Sequence, residues 1–176
     1  MTATTPDVRL AAGRWLAIVD RTTARFTVSN LGFKVVHGSV AVTRGEVEVD
    51  ASGVPVAVRA ELDLDTVDTG IPRRDLDLRK RSLLDIEDHP AMTFAADSVT
   101  RDPAGWRADG VLSLRGTSCP LVLSGDVLPD STGDAVHVVA TATLDRTAAG
   151  IRAPSLMIGR TVTITIDAWL AGPGRG

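Results

Sequence analysis

The sequence predicts a mainly β fold: an antiparallel barrel or sandwich of about eight strands, with one helical insertion lying as a lid across one end. Three observations predict it. Apolar and polar residues alternate with a period of two through residues 54–64, and the same period returns from Met92 onward. Between them lies one long break, residues 67–94 (VDTGIPRRDLDLRKRSLLDIEDHPAMTF), with turn residues, a charged run at helical spacing and a His-Pro stop. Beyond the break, short strand-like segments fenced by Gly, Pro, Asp or Ser recur to Leu170.

The elements follow in order. Residues 1–13 are polar and read as a flexible N-terminal segment, leaving one domain over residues 14–172. Residues 15–20 (WLAIVD) form a first strand, and 24–29 return with Phe26 and Val28 on one face. Asn30, Leu31 and Gly32 break the regularity, and a strand resumes from Phe33 to Thr43. Gly45 then marks a tight turn into 46–50, and Ser52-Gly53 another. Residues 54–64 are the clearest strand: Val54, Val56, Val58, Ala60, Leu62 and Leu64 share one face, with Arg59, Glu61 and Asp63 on the other. Later strands are predicted at 92–100, 106–114, 117–127, 136–144 and 161–170. In the last, Val162, Ile164 and Ile166 oppose Thr163, Thr165 and Asp167.

The insertion is predicted to be helical over residues 71–85. Pro72 suits a first helical turn, where its missing N–H costs nothing. Asp77 stands three residues before Lys80 and four before Arg81, a favourable helical pairing. Leu76 and Leu83 share a face at seven-residue spacing, and the remaining faces are charged. So narrow an apolar stripe suits a helix over a mouth rather than inside a core. Pro90 prevents continuation and biases His89 toward extended backbone.

Bulk properties narrow the function. At 176 residues the chain can bury a core without metal or disulfide, and a net charge of −3 supplies no basic field to gather phosphates, which argues against nucleic acid. One Cys excludes an intrachain disulfide and a Cys-based metal cluster. Aromatic residues make up 3%, with no Tyr, so the interior is filled by small aliphatic side chains and space is expected to remain. No apolar run approaches the ~20 residues of a membrane span. The start MTATTPDVRLAAGRW lacks a basic region followed by an apolar one, so a cytoplasmic location is expected.

A series of short motifs resembles the YceI-like family of polyisoprenoid- and lipid-binding proteins. The pieces are Trp15…Ile18…Asp20, then FTVSNLGFKVVHG at 26–38, DTGIPRRDLDLR at 68–79 and LLDIEDHPAMTF at 83–94. LSLRGTSCPLVL at 112–123, LDRTAAGI at 144–151 and IGRTVTITID at 158–167 complete the series. The resemblance implies an extended, eight-stranded antiparallel lipocalin-like barrel with a helix near its mouth. It implies a carrier or storage protein for a long amphiphile such as an isoprenoid quinone, a polyprenyl or a fatty-acyl chain, and no enzymatic activity. Many members are exported to the periplasm. This chain carries Asn30 where many have His, and Leu83-Leu84 where paired Phe are common.

Such a barrel encloses room for one narrow ligand. The candidate lining residues are Phe26, Val28, Leu31, Phe33, Val58, Leu62, Leu64, Met92, Phe94, Leu112 and Leu114; ordinary core packing is the competing reading for each. Arg73 and Arg74 are candidates to hold a polar headgroup, or else to cap and pair within the lid. A bound lipid or quinone is expected as ligand, and no cofactor. Metal binding is not expected, because His37, His89 and His137 are scattered. Cys119, in GTSCP, reads as a small buried apolar residue. Two alternatives stand beside the carrier: a small enzyme using Asp68, Asp75 and His89 at the cavity mouth, and a solid-barrelled, stress-related interaction domain. A homodimer through an outer strand near Val139 is also open.

Overall fold

The computed structural model describes residues 10–30, 34–128, 131, 134–151 and 159–174. The elements are β1 (Gly13–Ala17), a 3-10 turn (Val19–Arg21), β2 (Thr23–Asn30), β3 (Lys34–Val49), β4 (Pro55–Asp68), α1 (Pro72–Leu78), β5 (Ala91–Asp102), β6 (Gly105–Leu114), β7 (Thr117–Val127), β8 (Ala135–Asp145) and β9 (Thr161–Ala171). All strand pairings are antiparallel. They run β3-β2-β9-β8-β7-β6-β5-β4, and β4 pairs back with β3, which closes an eight-stranded barrel.

The N-terminal stave of this barrel is made in two pieces. β2 pairs with β3 through Ala24↔Val40 and with β9 through Phe26↔Ile164. β1 occupies the same gap nearer the other end, pairing Trp15 with Val47 and Ala17 with Leu170. The expected strand 15–20 therefore ends early, at Ala17, and turns through the 3-10 segment before β2 begins. Ile18 N–H donates to the Trp169 carbonyl at 2.7 Å, and the Arg21 guanidinium sits 3.9 Å from the Trp169 ring centroid, so the break is pinned to β9.

Gly45 is not a turn. β3 runs straight through it, and a side chain there would meet the Ala17 Cβ at 2.8 Å. The apparent interruption is a β-bulge: the register shifts between Val42 and Arg44, leaving Thr43 as the extra residue. Inward positions accordingly change from even (Val36, Val40, Val42) to odd (Val49). A second shift, where Glu48↔Ala57 gives way to Val49↔Pro55, reverses the start of β4. Pro55 is buried, and Val54 and Val56 are exposed, contrary to the single inward face read from the sequence. The expected alternation holds at Leu62 and Leu64, and a third shift, between Ser39 and Ala41, then brings Val67 inward.

The β6–β7 hairpin turns on two residues, Arg115 and Gly116, both with positive φ (56° and 71°), the backbone that suits a tight right-twisted hairpin. Among the described residues, two apolar clusters fill the interior. One, around Leu62, Leu64, Ile86, Leu112 and Leu114, belongs to the α1 end; the other gathers Trp15, Val49, Val136, Ala168 and Leu170 at the opposite end. Leu10 packs against the second cluster, and Trp15 Nε1–H donates to the Ala11 carbonyl at 2.9 Å. Leu10 and Ala11 thus make these contacts from the N-terminal side of residue 14.

Candidate ligand-binding cavity

The alternation that makes each strand half-buried also lines a hollow. At the α1 end the barrel encloses a cavity of about 730 Å³, within the range of small-molecule sites. Val36 and Val40 from β3, Leu62, Leu64 and Val67 from β4, and Met92 and Leu114 from β5 and β6 form one side. Leu144, Val162 and Ile164 face them with Ala24, Phe26 and Val28. The Phe26 ring lies against Gly38, its cross-strand partner, where any side chain would collide with it.

α1 and the turns after it roof this hollow through Ile71, Leu78, Leu83 and Leu84. The helix is short, ends at Leu78, and is tied to the barrel rim by polar bonds. Asp75 Oδ1 accepts the Thr69 N–H at 3.0 Å. Arg74 donates through Nε to Thr69 Oγ1 at 2.8 Å and through Nη2 to the Thr69 carbonyl at 2.9 Å. Arg79 pairs with Asp65, and Arg115 reaches both the Arg81 carbonyl and the Gly150 carbonyl. Because the helix stops at Leu78, Leu76 and Leu83 do not share a face. Leu76 is 66% exposed while Leu78, Leu83 and Leu84 turn inward. The expected Asp77 pairing forms with Lys80 at 2.6 Å, and that ammonium holds the Asp77 carboxyl below the usual carboxylate range.

Among the described residues, the charged ones that border the hollow are five cations, Arg25, Arg73, Arg74, Lys80 and Arg146, against one carboxylate, Asp77. Arg146 is 3% exposed; its Nε donates to the Gly159 carbonyl at 2.9 Å and Nη1 to the Ile151 carbonyl at 3.0 Å. Asp145, beside it, pairs with Arg160 and accepts from Thr147, which depresses its carboxyl well below the ordinary range. An apolar chamber with a cationic rim can hold a hydrocarbon tail and favour a negative or strongly polar head.

The YceI-like domain profile matches residues 15–170, nearly the whole of the barrel. The chain belongs to the YceI-like family. A UPF0312 protein of Pectobacterium carotovorum is 29% identical over 105 residues, covering 58% of this chain and 54% of that one. A UPF0312 protein of Yersinia pestis is 30% identical over 100 residues, covering 56% and 52%. The chain spans about half the length of these curated relatives within the matched region. Burkholderia cenocepacia BcnA superposes with a TM-score of 0.74 at 12% identity, over 87% of this chain and 98% of BcnA. A polyisoprenoid binding domain from Saccharophagus degradans gives 0.65 at 15% identity, over 90% and 98%. At these identities the structures establish the shared fold.

In this YceI-like barrel the expected lining residues divide. Phe26, Val28, Leu62, Leu64, Met92 and Leu114 border the large cavity, as do Arg73 and Arg74. Leu31 and Phe33 lie outside the described residues. Val58 borders a second, smaller hollow of about 120 Å³ at the opposite end, next to Trp15, Trp106 and Leu170. Phe94 and Leu112 border neither; at 6% and 2% exposure they are packed core. Val36, Val40, Val67, Leu144, Val162 and Ile164 escaped the sequence reading. Val162 and Ile164 carried the needed signal, the same alternation that marked Leu62 and Leu64.

The residues of the catalytic alternative do not converge. Asp68 Oδ1 accepts the Gly70 N–H at 2.8 Å, Asp75 is bonded to Thr69, and His89 Nε2 stands 4.0 Å from Asp85 Oδ2. None of the three borders the cavity. Among the described residues no group of three or more His, Cys, Asp or Glu is placed to hold a metal. His137 instead stacks on Trp169 at 4.5 Å and lies 2.7 Å from Asp167. Cys119 is buried, and burial pushes its thiol up, away from the reactive thiolate. No helix among the described residues is long and apolar enough to cross a membrane.

Proposed function

We propose that this chain binds and carries a long-chain apolar amphiphile of isoprenoid or fatty-acyl type, with the tail in the large cavity and the headgroup beside Arg73 and Arg74. The observation that carries this reading is the 730 Å³ aliphatic chamber bordered, among the described residues, by five cationic residues and one acidic one. Burial contributes about 0.8 kcal/mol per CH₂, so a tail of about ten methylenes gives about 8 kcal/mol gross. Ordering the chain and losing translational freedom offset part of that, which leaves useful affinity without any covalent or catalytic group. The description of the Saccharophagus domain as polyisoprenoid binding supports the same ligand class.

The solid-barrelled interaction domain has no use for so large a hollow, and the catalytic alternative lacks converging acid–base groups. The test is to purify the protein natively, extract it with organic solvent and identify the extract by mass spectrometry. A lipid or prenyl compound in stoichiometric amount is the expected outcome. An empty extract, together with no uptake of added long-chain amphiphiles, overturns the proposal.

A further inference from the structure

The interior is two hollows with a packed band between them, and interior side chains sort by height along every strand. On β4, Leu62 and Leu64 border the large cavity while Pro55 and Val58 border the small one. On β5 the corresponding residues are Met92 and Val99; on β6, Leu114 and Ala108; on β8, Leu144 and Ala140. Between those levels stand Phe94, Ala96, Leu112, Leu121 and Ala142. Each is 6% exposed or less, and none borders either hollow. The floor is held in place. A side chain at Gly110 on β6 would come within 2.6 Å of the Phe94 ring, so that glycine leaves room for the aromatic.

Floor and roof together set a depth. On β3 the cavity wall runs from Val36 to Val40, about 13 Å of strand and about 10 Å along the axis at a tilt of ~40°. The roof residues and rim cations stand above that. Even with the roof added, the hollow is no deeper than about one membrane leaflet, half of the ~30 Å hydrocarbon core. We infer that the ligand is a single-tailed amphiphile no longer than an ordinary leaflet lipid, whose tail ends on Phe94 and Leu112 rather than threading the barrel. This rests on the carrier reading and narrows it: an extended chain much longer than one leaflet has no path past the floor.

The test is a calorimetric titration of the delipidated protein with straight-chain fatty acids from octanoic to docosanoic. Affinity is expected to rise about fourfold per added methylene, the equivalent of ~0.8 kcal/mol, and to stop rising at or before hexadecanoic acid. Phe94→Ala joins the two hollows and moves that limit to longer acids; Leu112→Ala does the same and serves if the first variant does not fold. Affinity that keeps climbing to docosanoic acid in the wild-type protein overturns the floor and leaves the carrier reading intact. So does an unchanged limit in a folded Phe94→Ala protein. If no acid of any length binds and the native extract is empty, the carrier reading fails and this inference falls with it.

Discussion

The two ends of the barrel are built from the same strands, with the same alternation, yet one is hollow and the other nearly solid. The difference is aromatic placement. Trp15 and Trp106 both project into the end away from α1, where only about 120 Å³ remains open. The α1 end has Phe26 folded against Gly38 and is otherwise walled by Val, Leu, Ile and Met, and about 730 Å³ remains. Closing a sheet into eight strands fixes the diameter; side-chain volume then decides which half is core and which is container. Charge follows the same division: among the described residues Asp126 is the one charged residue bordering the smaller hollow.

The largest expected effect is at the solid end. Trp15 is 3% exposed and central to its cluster. Trp15→Ala is expected to cost about 3–5 kcal/mol in chemical denaturation. Folded Trp15→Ala protein should still bind ligand, since Trp15 does not border the large cavity. Equal losses of stability and affinity would break the proposed division of labour.

Enlarging side chains sharpens the contrast. Ile164→Phe fills open space, so it is expected to change stability by less than about 1 kcal/mol while abolishing uptake of long-chain ligands. Val138→Phe, at the border of the small hollow, is overpacked and should cost about 1–3 kcal/mol with binding retained. Thermal melts and fluorescent-lipid uptake on both variants read the two halves separately. The smallest effect is at the rim. Arg73→Gln is expected to weaken an anionic amphiphile by about 1 kcal/mol, roughly fivefold, and to leave the matching neutral alcohol unchanged. Arg73 is the better probe because Arg74 also holds Thr69 in place.

Strand positions were legible because a half-buried antiparallel strand writes its two faces into the sequence. β5 to β9 begin and end within two residues of the alternating segments. The bulges were not legible. Thr43 and Val56 are ordinary strand residues, and only pairing with the neighbouring strand makes either one extra. The roof was half legible: Pro72 and the Asp77–Lys80 pair follow local rules. The stop at Leu78, which turns Leu76 out to solvent, depends on ties such as Arg115 to the Arg81 carbonyl. Phe94 and Leu112 have the same spacing and chemistry as Met92 and Leu114. Their height relative to the void is set by what stands across the barrel, information no single strand contains. Arg146 gave no signal, since its burial depends on carbonyls at Ile151 and Gly159.

The broken N-terminal stave has a consequence for how the protein comes into being. Strands β3 to β8 pair with neighbours in sequence, so they can zip up as a local meander while synthesis proceeds. The last seam joins residues 16–28 to residues 162–171, segments far apart in the sequence. Until β9 leaves the ribosome the wall stays open along one whole side, and nothing greasy can be sealed within it.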